Sequence, residues 1–313
     1  MNGRTWRRLD DDKDKRIRNL LLSNGGTELP CHADFERWRI QLEDSTFTSY
    51  TSGVIYSTPT SSPTVQRIWS EIDEIVGFQY EPPTRNWLFG LDEAGKGEIF
   101  GSIFVAGVAF PKDLFFQLQK ILNFADTKSR KRSLQYWQGV YQGTISLDKE
   151  KVKVHAVRIP PASVDSENLR KLLDRAYIKV IDKILGELKT VDVRIVVDDY
   201  MLEKDMQDKM LELKRMGVET IAEHDADQNY LEVKAASVIA KYLREKEIDE
   251  IRNNKEFQID GLTIGTGSSN NPETLKWLKA WHKSNKSWPW FVRKTFRTIA
   301  IIEGRKPSKR KFK

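Results

Sequence analysis

The chain has 313 residues, with 52 Lys and Arg against 45 Asp and Glu, a formal net charge of +7 and 31% charged residues. That length suits one large domain with a smaller companion, and a basic excess on a highly charged surface suits a polyanionic partner. The single cysteine, Cys31, excludes an intrachain disulfide and a thiolate metal cluster. Arg7, Arg8, Asp10, Asp11, Asp12 and Lys13 with no apolar stretch behind them speak against a secretory signal, and no run is long enough to span a bilayer, so a cytoplasmic protein with no membrane partner is expected.

In chain order, the basic residues from Arg4 to Arg18 are interleaved with aspartates, which reads as a solvated helix face. Phe47 to Ser57 reads as two short strands folded about Ser52-Gly53, with Tyr50, Val54 and Tyr56 as strand formers. After Pro63, the spacing of Val65, Ile68, Trp69, Ile72 and Ile75 predicts a helix, completing a small α+β module. Glu81-Pro82-Pro83-Thr84 forbids helix continuation and marks a boundary, giving domains 1–84 and 85–313.

The second domain opens on an apolar strand, Trp87 to Leu91, joined across the glycines at 95, 97 and 101 to another from Ile103 to Phe110. A strand at Val152 to Ile159 precedes a helix whose apolar stripe is Leu169, Leu172, Leu173, Ala176, Tyr177, Val180, Ile181, Ile184 and Leu185, read here as core. Val193 to Val197 predicts a buried strand ending in Asp198-Asp199. Tyr230 to Ile251 predicts a long helix whose Ala235-Ala236-Ser237 lets backbone approach closely. Strands alternating with covering helices give an α/β layer fold, in which acids at strand ends are placed for chemistry. Near the C-terminus, Trp288, Trp290 and Phe291 interleave with Lys286, Arg293, Lys294 and Arg297, either to stack bases and neutralise phosphates or as an aromatic core stripe at helical spacing. The tail from Arg305 to Lys311 offers at most nonspecific attraction to nucleic acid.

Four acids stand out. Asp92 ends an apolar strand and Glu93 enters the glycine-rich turn; Asp198 caps the strand Ile195-Val196-Val197; Asp227 lies just before the long helix. Adjacent carboxylates repel unless a cation lies between them, and oxygen ligands from several strand ends suit Mg²⁺ or Mn²⁺ rather than zinc. On residues alone Asp199 competes with Asp198, and Asp225 with Asp227.

The run Asp92-Glu93-Ala94-Gly95-Lys96-Gly97-Glu98-Ile99-Phe100-Gly101 resembles the active-site signature of the type 2 ribonuclease H family, ribonucleases HII and HIII. Asp126-Thr127-Lys128, Asn168-Leu169 and Val197-Asp198 resemble further family elements in order, and Asp227 stands eight residues before Ala235-Ala236-Ser237-Val238-Ile239-Ala240-Lys241, as the fourth acid does. The apolar strand ending at Val197, with which the family pattern agrees, favours Asp198 over Asp199, and the spacing to Ala235 selects Asp227 over Asp225. The resemblance, over roughly residues 86 to 275, implies a ribonuclease H-like mixed sheet flanked by helices. It also implies an endoribonuclease that cuts the RNA strand of RNA–DNA hybrids with two divalent ions, leaving 5′-phosphate and 3′-hydroxyl ends. Asp92 would bridge the ions, Asp227 completing one site and Glu93 with Asp198 the other. Gly95 and Gly97 would bring backbone to a ribose 2′-hydroxyl, with Lys96 and Lys128 at the substrate.

The Gly97-Glu98-Ile99-Phe100-Gly101 run looks more like HIII than HII. So does the N-terminal module, which is similar to the TATA-binding-protein-like substrate domain of HIII. Gly265-Thr266-Gly267 before Asn271-Pro272-Glu273-Thr274 resembles an archaeal HII segment, with Ser268 where that family has its junction-sensing tyrosine. An HII-like enzyme acting on embedded ribonucleotides, and a non-catalytic hybrid-binding module, are the alternatives. A monomer is expected, for want of heptads or an exposed strand edge.

Overall fold

The computed structural model describes residues 3–7, 9–77, 80–122, 133–284 and 286–306. They fall into two compact units: Met1–Pro82 with Phe116–Asp126, and Pro83–Phe115 with Thr127–Lys313.

In the first unit β1 (Arg4–Trp6), α1 (Asp11–Ser23), β2 (Thr27–Leu29), β3 (Glu36–Leu42), β4 (Ser45–Tyr50), β5 (Val54–Ser57) and α2 (Pro63–Val76) follow one another. The strands form one antiparallel sheet in the order β1-β5-β4-β3-β2. Strand alternation sends Trp38, Ile40, Leu42, Phe47 and Ile55 into a core shared with Ile17 and Leu21 of α1 and Val65, Ile68 and Ile72 of α2. Both helices begin where a side chain can take an orphan N–H: Asp10 accepts from Lys13 N at 2.8 Å and Ser62 from Val65 N at 3.2 Å. The β4–β5 hairpin turns at Gly53, whose φ of +74° glycine adopts without strain. Residues of the opposite parity line the other face of the sheet, where Arg39, Thr48, Tyr56 and Thr5 pair across four strands.

Between β6 (Trp87–Ala94) and β7 (Ile103–Pro111) of the second unit and its later elements the chain passes through α3 (Phe115–Leu122), which apart from Phe115 belongs to the first unit; the second unit continues with α4 (Leu134–Ser146), β8 (Lys153–Ile159), α5 (Pro161–Ser166), α6 (Leu169–Leu188), β9 (Val193–Asp198), α7 (Lys204–Arg215), β10 (Glu219–Glu223), α8 (Leu231–Asn253), α9 (Pro272–Lys283) and α10 (Arg297–Ile302). Its sheet runs β10-β9-β6-β7-β8, with β10, β9 and β6 parallel and β7 antiparallel to both of its neighbours, β6 and β8. This is a mixed sheet with helices on both faces, as the ribonuclease H-like expectation requires.

Two glycines set the layer spacing. A Cβ on Gly90 of β6 would fall 2.0 Å from the backbone carbon of Glu232, so α8 lies directly on the strand. A Cβ on Gly107 of β7 would meet Val180 at 2.5 Å, where α6 covers the other face. The sequence places the end of the first strand at Leu91, but β6 stays paired with β7 as far as Ala94 opposite Phe104. Glu93 therefore belongs to the strand and the turn starts after it. The C-terminal aromatic segment also differs from a helical stripe: residues 287 to 296 are irregular, and α10 begins only at Arg297. Phe291 is buried against Phe100 and Trp277, while Trp290 is half exposed beneath the Arg158 guanidinium. Arg293 is fully buried and donates to Gly101 O and Lys96 O, so it braces the glycine-rich turn and is closed to phosphate.

Candidate active site

The parallel register sets Leu91 beside Val197, which brings the ends of β6 and β9 together where Asp92 and Asp198 follow. Alternation then divides the acids. Asp92 shares the parity of Gly90 and so lies on the α8 side, where the Ser237 hydroxyl bonds it. Glu93 points the other way, and its Oε2 accepts the hydroxyl of Tyr177 from α6. Asp198 Oδ1 accepts the backbone N–H of Ala226 at 3.0 Å, tying β9 to the short helical turn Ala226–Gln228 that presents Asp227. Asp225, just before that turn, takes a left-handed φ of 56° and lets the chain reverse into it.

Asp92 is 6% and Asp227 5% exposed. Burial raises the Asp92 carboxyl well above the usual carboxylate range, and the charges of Glu93, Asp198 and Asp227 push it further, against the Ser237 bond. Burial likewise pushes Asp198 up to about 6, opposed by the Ala226 bond and reinforced by Glu93, Asp227 and Asp225. Burial also raises the Tyr177 phenol, with Glu93 and Asp92 adding to it, so Tyr177 stays a donor. Two lysines hold the outer acids: Lys96 Nζ lies 2.8 Å from Glu93 Oε1, and Lys234 Nζ lies 3.4 Å from Asp227 Oδ2. Among the described residues no three Asp, Glu, His or Cys side chains already stand at ligand spacing.

The donor set is all oxygen, which fits a hard divalent cation and not zinc. Mutual repulsion of buried carboxylates is what such a cation relieves, so the residues present fit divalent ions. Asp199 turns elsewhere, its Oδ1 accepting from Met201 N at 2.7 Å and Leu202 N at 3.2 Å. His224 is well exposed, and His282 stacks on Trp288.

The two glycines of the turn differ in kind. Gly95 has φ +94° and a Cβ there would press on Ser102 O at 2.8 Å, so the fold itself requires glycine. At Gly97 a Cβ would meet nothing within 4 Å. Lys96 is engaged by Glu93, and Lys128 lies outside the described residues.

Sequence reasoning missed three side chains of this site. Tyr177 was read as core, although it is the one residue of the α6 stripe with a hydroxyl, and that was the available signal. Ser237 counted only as small, and Lys234 carried no signal beyond its distance of seven residues from Asp227.

A family model for ribonuclease HII matches residues 89–299. The chain belongs to that family, the type 2 ribonucleases H. It is accordingly a ribonuclease H, a nuclease of the hydrolase class. Ribonuclease HII from Methanobrevibacter smithii is 30% identical over 214 residues, 68% of this chain and 96% of its own. The ribonuclease HII of Archaeoglobus fulgidus, solved as a complex with PCNA, is 27% identical with a TM-score of 0.53, over 69% of this chain and 96% of that one. Bst-RNase HIII, solved with Mn²⁺, shares the fold at 14% identity and a TM-score of 0.52, over 96% of this chain and 98% of that one. For this ribonuclease H the catalytic fold is thus common to both relatives, while the fold likeness to Bst-RNase HIII also takes in the N-terminal sheet.

Proposed function

We propose that this ribonuclease H cuts the RNA strand of RNA–DNA hybrids in the manner of ribonuclease HIII, with Asp92, Glu93, Asp198 and Asp227 as ligands of two divalent ions, Mg²⁺ or Mn²⁺. The observation that carries the metal reading is the buried Asp92 carboxyl, whose strongest charged neighbours are all acidic. The HIII reading is supported by the extent of the fold likeness, 96% of the chain against 69% for the archaeal HII, and by Ser268 at the junction-sensing position.

Bound ions would supply an activated water and charge stabilisation at the leaving 3′-oxygen. The chain's own residues do the rest. Asp92, buried and fixed by Ser237, stands close enough to Glu93, Asp198 and Asp227 to feel the charge of all three. The Ala226 bond holds Asp198 to the turn of Asp227, so that a single small displacement cannot separate them. Gly97 leaves its backbone open on one side, and a ribose 2′-hydroxyl hydrogen-bonded there would report RNA. Products with 5′-phosphate and 3′-hydroxyl ends are expected.

The first unit, residues 1–84 by the sequence boundary, is proposed to bind substrate through the sheet face opposite its helices. There the partly exposed Arg39 and Tyr56, which flank the buried Thr48 in register, offer a cation and an aromatic ring, a pair that serves backbone and stacking contacts.

A second reading, HII-like cutting at ribonucleotides embedded in duplex DNA, is favoured by the 30% identity to an archaeal HII. One assay separates the readings. An all-RNA strand, an all-DNA strand and a DNA strand with one ribonucleotide, each opposite DNA, are incubated with Mg²⁺ or Mn²⁺. HIII-like behaviour is cutting of the first alone; preference for the third supports HII; cutting of the second overturns both.

A further inference from the structure

Resting on the reading of Glu93 as a metal ligand, the geometry around its carboxylate goes further. Tyr177 is completely buried in α6, among Val180, Ile181 and the sheet residues Phe89 and Leu91. A phenylalanine would fill the same space, so packing gives no reason for the oxygen. That oxygen donates to Glu93 Oε2. The ring is itself held: it tilts against Tyr200 with centroids 4.6 Å apart, and the Tyr200 hydroxyl donates to Asp174 Oδ1 at 2.7 Å. Asp174 is buried and also accepts from Met206 N at 2.9 Å, which fixes it to the start of α7.

The other oxygen of Glu93 is held quite differently. Oε1 meets Lys96 Nζ at 2.8 Å, and the Lys96 side chain is 43% exposed on the glycine-rich turn. A flexible, solvated ammonium is a weak and displaceable partner, whereas a buried hydroxyl on a packed ring is neither. We propose that Tyr177 is a positioning residue that occupies Glu93 Oε2 and so reserves Oε1 for a divalent ion, with Lys96 holding Oε1 until the ion displaces it. Glu93 is then a one-oxygen ligand whose orientation is set from beneath the sheet.

The test uses the full-length protein without nucleic acid, titrated with Mn²⁺ in a calorimeter. Tyr177→Phe keeps the ring and is expected to raise the Mn²⁺ dissociation constant about tenfold, within the range for groups that orient metal ligands. The metal concentration for half-maximal hybrid cleavage rises by the same factor, while the rate at saturating metal changes little, a split that general loosening of the core would not give. Lys96→Gln, by removing the competing cation, is expected to tighten Mn²⁺ binding. Wild-type Mn²⁺ affinity in Tyr177→Phe, alongside weakened binding in Glu93→Gln, would overturn the proposal and leave the ligand reading standing. Unchanged binding in Glu93→Gln as well would overturn both. If Tyr177→Phe does not fold, Lys96→Gln decides, since unchanged or weaker binding there contradicts the displacement.

Discussion

Asp198 Oδ1 accepts the backbone N–H of Ala226 at 3.0 Å, and through this one bond the end of β9 fixes the turn that carries Asp227. Asp198 thus has a structural task, which needs an acceptor, and a proposed chemical task, which needs a charge. Asp198→Asn keeps an acceptor and loses the charge, so cleavage is expected to fall at least about a hundredfold with the turn intact. Asp198→Ala is expected to be as inactive and also less stable than Asp198→Asn by about 0.5–1.5 kcal/mol in urea denaturation. Near-wild-type cleavage by Asp198→Asn, or equal stability of the two variants, would count against this division.

The crowding of acids makes the metal-free protein sensitive to pH. Asp198 is raised from an ordinary 3.8 to about 6, and Asp92 moves in the same direction. A carboxyl whose folded-state pKa exceeds its unfolded value binds its proton more tightly when folded. Its stabilisation is complete below the unfolded value and lost as pH rises through the folded one. In EDTA the thermal midpoint is therefore expected to fall from about pH 5 to about pH 7, and saturating Mg²⁺ to flatten that fall. A midpoint in EDTA that is level or rising over this window would contradict the electrostatic account.

Gly95 is required by the fold, whereas Gly97 is free of packing and is proposed to serve recognition. Gly95→Ala forces a side chain into a left-handed φ against Ser102 O and is expected to destabilise by more than about 1 kcal/mol. Gly97→Ala meets open space, so stability should change by less than about 0.5 kcal/mol while cleavage of the hybrid drops. Thermal melts and a gel assay on both variants check this; a Gly97→Ala enzyme with unaltered cleavage would remove Gly97 from the substrate site.

At Gly90 the expectation is purely structural. A methyl there would lie 2.0 Å from the Glu232 backbone, so α8 must lift from β6. Overpacking of this kind costs about 1–3 kcal/mol or more, and it carries Ser237 away from Asp92. Gly90→Ala is expected to lower both the melting midpoint and the cleavage rate, and a stable, fully active variant would show that α8 is not seated as described.

Much of this was legible in the sequence because short-range pattern and long-range packing agree. The apolar run before Asp92, the strand before Asp198 and the stripe of α6 each appear where periodicity places them. Periodicity could not give the end of β6, since pairing with β7 carries the strand through Glu93 and Ala94, and pairing is a property of two distant segments. Tyr177 looked like core because it is core on every side but one; its hydroxyl acquires meaning only when Glu93, 84 residues away, is brought against it. Arg293 sits in a segment that the sequence leaves open between phosphate contact and an aromatic core stripe, and carbonyls of the glycine-rich turn provide enough acceptors to bury it. Asp92, Glu93, Asp198 and Asp227 stand out in the sequence at strand and helix ends and are proposed as ligands with the support of family spacing; the structure adds what each side chain touches.

The most direct test of the proposed metal centre is a crystal of the full-length protein soaked in Mn²⁺ and measured at a wavelength where manganese scatters anomalously. Anomalous peaks are expected at the ends of β6 and β9, with Asp92 in contact and Glu93, Asp198 and Asp227 completing the shells, and Lys96 moved off Glu93 Oε1. Peaks absent from this position while Mn²⁺ binds elsewhere on the chain, or a peak that leaves Asp92 untouched, would contradict it.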